Sequence, residues 1–171
     1  LGRRANNGAL MTPTLILTRP LAQSESFAAK VTSAWARPLD VIIAPLIEIV
    51  PVAAERPDAD MVIFTSANGV HAARNLGLRA GMTAWCVGAK TAEVAKDAGF
   101  APVTGPGDAD GLIAKLITAH PTGRLAHIRG KHARGDVASR LNKAGLHCAD
   151  VIAYDQKACQ LSAQAQAALC A

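Results

Sequence analysis

Apolar and polar positions alternate along the chain in two registers. Short apolar runs are followed by stretches with apolar residues every third or fourth position, the signature of strand followed by helix. The first run, Thr14–Thr18, closes on Arg19-Pro20, and residues 24–35 then carry Phe27, Ala28, Val31, Ala34 and Trp35 at helical spacing. A second strand is expected over residues 39–44. The proline-bracketed stretch Pro45–Pro51 reads as an extended crossing strand, and 52–60 as a loop or short exposed helix. From Met61 the alternation becomes regular. It predicts strands over 61–65, 83–87, 101–104, 124–129 and 147–153, and helices over 67–77, 90–98, 109–119 and 133–144. Gly99 and Gly145 close two of these helices, and Asp108 and Asp110 cap a third.

Strands and helices in strict alternation imply a parallel sheet covered on both faces. With right-handed crossovers, the expected form is a five-stranded flavodoxin-like sheet in the order 2-1-3-4-5. In such a sheet ligands bind beyond the carboxyl ends of the strands. Three turns there are chemically alike: Thr65-Ser66-Ala67-Asn68, Gly88-Ala89-Lys90-Thr91, and Arg129-Gly130-Lys131-His132-Ala133-Arg134-Gly135. Each combines small residues, a hydroxyl or cation, and fresh helix amides, which suits anions. Capping alone would also explain Thr65 and Ser66, and a solvated helix face would explain Lys131, His132 and Arg134.

Composition narrows the choice of partner. Of 171 residues half are hydrophobic and 18% charged, as in a packed globular chain, and aromatics at 4% argue against base stacking and hence nucleic acid. The net charge of +5 falls to +3 without Arg3 and Arg4, a mild bias towards anionic ligands. Residues 1–11 read as a leader outside the fold, with Met11 the expected natural start. Cys86, Cys148, Cys159 and Cys170 form no C-x-x-C pair and have no histidine at ligand spacing, which fits free buried thiols and a cytoplasmic location. No apolar run approaches the roughly 20 residues that span a membrane. Trp35 and Trp85 are expected in the core. Neither glycine-rich nucleotide-binding motif occurs at the turns.

Six short motifs together carry a family resemblance: Leu17-Thr18-Arg19-Pro20, Pro45-Leu46-Ile47-Glu48, Ile63 to Val70, Val87 to Ala92, Ile128-Arg129-Gly130 and Val151-Ile152-Ala153-Tyr154. In this order they resemble the uroporphyrinogen-III synthase family over residues 15–157. The resemblance implies two similar α/β domains joined by a two-stranded connection. Residues 12–44 would open the first domain, 45–51 cross, 52–150 build the whole second domain, 151–158 return, and 159–171 begin to complete the first, incomplete one. The chain then resembles an amino-terminal fragment. The implied reaction closes hydroxymethylbilane to uroporphyrinogen III, with loss of water and inversion of the last ring, as a step of haem biosynthesis. It needs no metal or cofactor. The implied surroundings are hydroxymethylbilane synthase upstream, no membrane or nucleic-acid partner, and a monomer when complete. Carboxylates of the substrate would meet Arg19, Thr65, Ser66, Asn68, Gly88, Lys90, Thr91, Arg129, Gly130, Lys131 and Arg134. Tyr154 would help the hydroxyl leave, since a phenol keeps its proton at neutral pH; ordinary packing is the other use of a lone tyrosine. The alternative is a non-catalytic module that binds polycarboxylates or phosphates.

Overall fold

A computed structural model describes residues 12–170. The chain divides into two units, one comprising residues up to Glu48 and those from Lys157 onward, the other Ile49–Gln156.

In the first unit, β1 (Thr14–Leu17) and β2 (Asp40–Ile43) pair in parallel, Thr14 opposite Asp40 and Leu17 opposite Ile43. Between them runs α1 (Leu21–Ala34), which starts three residues earlier than the apolar spacing indicates. Pro20 sets the start: its carbonyl accepts from the amides of Gln23 and Ser24, so the first turn closes there. A helix near the chain's end packs Ala165 against Ile42 and Ala44. Trp35, expected in the core, is 49% exposed, because it follows the last turn of α1 in an extended conformation.

The second unit holds most of the buried apolar residues. A strand shared with the first unit, β3 (Ile47–Pro51), comes first in the chain. The others are β4 (Met61–Phe64), β5 (Thr83–Cys86), β6 (Ala101–Thr104), β7 (Leu125–Gly130) and the long β8 (Cys148–Ala158). β3 lies beside β8, and the division between units falls inside both. Thus the return segment expected at 151–158 is no separate strand but the continuation of β8. Helices α2 (Ala67–Ala73), α3 (Ala89–Asp97), α4 (Ala109–Ala119) and α5 (Val137–Lys143) connect the strands.

The sheet order is β3-β8-β7-β4-β5-β6, with β8, β7, β4, β5 and β6 parallel neighbours. Counted from β4, the order is therefore 3-2-1-4-5 in reverse sense within a six-stranded sheet, with β6, β5 and β4 on one side and β7 and β8 on the other. This corrects the five-stranded flavodoxin-like order of 2-1-3-4-5. The first two crossovers step outward from β4 on one side. The third, through α4, carries the chain back past it to β7. Successive strands that leave β4 in opposite directions create a switch point between β4 and β7.

Period-two alternation sorts the strand residues onto two covered faces. Val62, Phe64, Ala84, Cys86, Ala126 and Ile128 pack under α2 and α3; Ile63, Trp85, Leu125 and Cys148 pack under α4 and α5. Gly69 lets α2 lie close, since a Cβ there would come within 2.6 Å of the Ile128 carbonyl oxygen. The helix α4 has the expected bounds and starts on Asp108, whose Oδ1 accepts from the Gly111 amide at 2.8 Å. The helix expected over 133–144 instead begins at Val137. Gly135 (φ +99°) and Asp136 (φ +43°) take left-handed conformations that no helical turn contains, so residues 131–136 form an irregular turn.

Candidate functional site

The strands β7, β4 and β5 are adjacent and parallel, so the turns that follow them share one edge of the sheet. These are the three turns singled out by their chemistry. Those after β4 and β7 flank the switch point.

At the end of β4, Thr65 and Ser66 point to opposite sides of the sheet. Ser66 is the N-cap of α2, its Oγ accepting from the Gly69 amide at 3.3 Å. The same Oγ lies 3.1 Å from the Tyr154 hydroxyl. Tyr154 reaches it through a bulge: β7 and β8 run in register to Arg129 opposite Ile152, and then Gly130 faces Tyr154, with Ala153 the extra residue. The Tyr154 ring occupies the space above Gly130, where a Cβ would meet its Cε2 at 2.5 Å. Only 5% of Tyr154 is exposed.

Thr65 lies on the other side, its Oγ1 3.1 Å from His127 Nε2. His127 is 1% exposed, and its Nδ1 has no hydrogen bond but stands 3.7 Å from Asp150 Oδ1. Burial outweighs the pull of that carboxylate and depresses the imidazole pKa to about 4, so the ring is neutral at neutral pH. Asp150 is held in turn by Arg129, whose Nε and Nη2 donate to its two oxygens at 2.6 and 2.5 Å. This fork keeps the Asp150 carboxyl below its usual range. The remaining Nη1 of Arg129 donates to the Gly130 and Lys131 carbonyls at 2.9 and 3.2 Å.

The structure thus brings together Thr65, Ser66, Arg129, Gly130 and Tyr154, but it spends Arg129 internally. Lys131 and Arg134 are exposed. Lys131 comes within 3.9 Å of Asp155, and Arg134 has no ion pair among the described residues. A hollow of about 170 Å³ lies below them, lined by His127, Asp136, Ser139 and Asp150 as well. On the neighbouring turn Gly88 caps α3 and faces the protein's own backbone, since a Cβ would stand 3.2 Å from Gly107 Cα. Lys90 is exposed and Thr91 is buried in the first turn of α3. Asn68 sits in the first turn of α2. Arg19 belongs to the other unit, where its guanidinium lies 5.1 Å from the centre of the Phe27 ring.

Sequence reasoning missed His127 and Asp150. The signal was present in Leu125-Ala-His-Ile-Arg129, whose alternation puts His127 on the face of Arg129. Among the described residues no three His, Cys, Asp or Glu side chains gather as metal ligands, and no helix is long and apolar enough to cross a membrane.

A parallel sheet with polar turns and two hydroxyl-centred networks at its switch point defines an α/β protein with its candidate site at the carboxyl edge. The profile of the family described as Uroporphyrinogen-III synthase HemD matches residues 30–171, and the chain belongs to that family. Two solved structures are similar in fold. One is a mutant uroporphyrinogen III synthase from Thermus thermophilus, at TM-score 0.53 and 20% identity, the match covering 86% of this chain and 64% of that one. The other is uroporphyrinogen-III synthetase from Helicobacter pylori, at TM-score 0.56 and 17% identity, with 93% and 68% covered. The chain therefore spans about two thirds of the length of these relatives. No curated protein sequence matches it significantly.

Proposed function

We propose that this chain carries the tetrapyrrole-handling unit of a uroporphyrinogen-III synthase, a lyase that closes hydroxymethylbilane to uroporphyrinogen III with loss of water and inversion of the last ring. The observation that carries this reading is the Tyr154–Ser66 contact at the switch point. Ser66 accepts the Gly69 amide and has its own proton to give to the Tyr154 oxygen. The phenolic O–H is then free to donate to a leaving hydroxyl. The pyrrole nitrogen supplies the electron push, so the protein's share is to fold the linear substrate and place that donor. Lys131, Arg134, Lys90 and the amides of the turns would hold the carboxylates.

Tyr154→Phe removes the donor and keeps the ring. Cyclisation of hydroxymethylbilane is expected to fall at least about tenfold, as for a lost general acid, while affinity for uroporphyrinogen III changes less than about threefold. Unchanged turnover would sink the acid role. A second reading, a polycarboxylate-binding module without turnover, is favoured by the exposed cations Lys131 and Arg134 that line the hollow. Calorimetric binding of uroporphyrinogen III without any cyclisation by the same sample would select it.

A further inference from the structure

Thr65 and Ser66 are consecutive but face opposite sides of the sheet, and both hydroxyls already touch protein groups. A hydroxyl has one proton, so what each can offer a ligand depends on where that proton is committed. For Thr65 the answer lies in the ring of His127. A neutral imidazole carries one N–H, on either Nε2 or Nδ1. A proton on Nε2 would leave the lone pair of the buried Nδ1 facing Asp150 Oδ1, 3.7 Å away on a carboxylate that is itself 41% exposed. A proton on Nδ1 turns the N–H dipole towards that carboxylate instead. Asp150 cannot turn away, because both its oxygens are gripped by Arg129. The other charged groups around the hollow are Arg129 on β7, Lys131 and Arg134 on the turn and Asp136 before α5, and Arg129 opposes a second proton on the ring.

We infer that His127 is a positioning residue fixed as the Nδ1–H tautomer, so that Thr65 donates its only hydroxyl proton to Nε2 and meets a ligand solely as an acceptor. A carboxylate, which also only accepts, is then the wrong partner for Thr65. The right one is an N–H or O–H of the ligand. Within the tetrapyrrole reading, on which this half of the inference rests, that group is a pyrrole N–H. Thr65 thereby reads the ring system, while carboxylates fall to the cations and amides of the same edge. This departs from the carboxylate role that the family resemblance suggested for Thr65.

The proton is located by long-range ¹H–¹⁵N correlation on chain labelled in its five histidines, with His127→Gln assigning the signal. A protonated Nδ1 beside a bare Nε2 at pH 7 is the expected result, and the reverse overturns the inference. Ligand discrimination is read by titrating uroporphyrinogen III and mellitate, a benzene hexacarboxylate with no N–H. Thr65→Val should weaken uroporphyrinogen III about tenfold, the loss of one buried hydrogen bond, and leave mellitate within about twofold. Thr65→Ser, which restores the hydroxyl, should recover the wild-type value. Equal weakening of both ligands would overturn the inference and leave the anion site standing. If the wild-type chain binds mellitate alone, or neither ligand, the tetrapyrrole reading falls and takes the pyrrole N–H with it; the spectrum still decides the proton.

Discussion

At Gly130 a hydrogen atom in place of a methyl group leaves room for the Tyr154 ring. Gly130→Ala would put Cβ 2.5 Å from Cε2 and 2.8 Å from Cζ, so the ring must move. The expected cost is about 1–3 kcal/mol, as for overpacking elsewhere. It should appear as a lower urea midpoint, together with loss of the Ser66 contact and of turnover. His127 makes a prediction in pH. Its folded pKa of about 4 lies below the ordinary 6.5, so between those values the unfolded chain binds more protons. Stability therefore falls as pH drops through that window, by about 3 kcal/mol in total. Asp150, also depressed, adds its loss only below its ordinary value of 3.8. Urea midpoints measured between about pH 7 and pH 5 should decline for wild type and stay flatter for His127→Gln.

At the scale of elements, α4 shows how a cap converts sequence into a boundary. Asp108→Ala removes the acceptor of the Gly111 amide and should cost about 1 kcal/mol, read as a lower unfolding midpoint. The same aspartate made the start of α4 legible beforehand, because capping is a local signal. So were β4, β5 and β6, where four-residue runs of mostly apolar side chains are bounded by turn residues. The start of α5 was not legible: Lys131 to Asp136 have helix-compatible polarity, and the left-handed turn at Gly135 and Asp136 leaves little trace in composition. The sheet order was hidden for a different reason. Right-handed crossovers fix the hand of each step but not the side to which it goes. The polar turns were visible as candidates. The pairing of Thr65 with His127, across 62 residues, depends on that unseen order.

At the scale of the whole molecule, the six-stranded sheet separates two apolar layers, and each layer contains a cysteine. Cys86 lies under α2 and α3 and Cys148 under α4 and α5; burial pushes both thiols up to about 11, where almost no nucleophilic thiolate exists at neutral pH. Cys170 is exposed and Cys159 half-buried. Iodoacetamide followed by peptide mass spectrometry should therefore label Cys170 first and Cys159 next, and reach the other two only when their layer parts from the sheet. The interior thus comes with a pair of built-in clocks, one on either side of a shared partition. If that partition gives way as a whole, the two clocks will run at the same urea-dependent pace. If they drift apart, the molecule peels from one flank first, and the faster thiol names the flank.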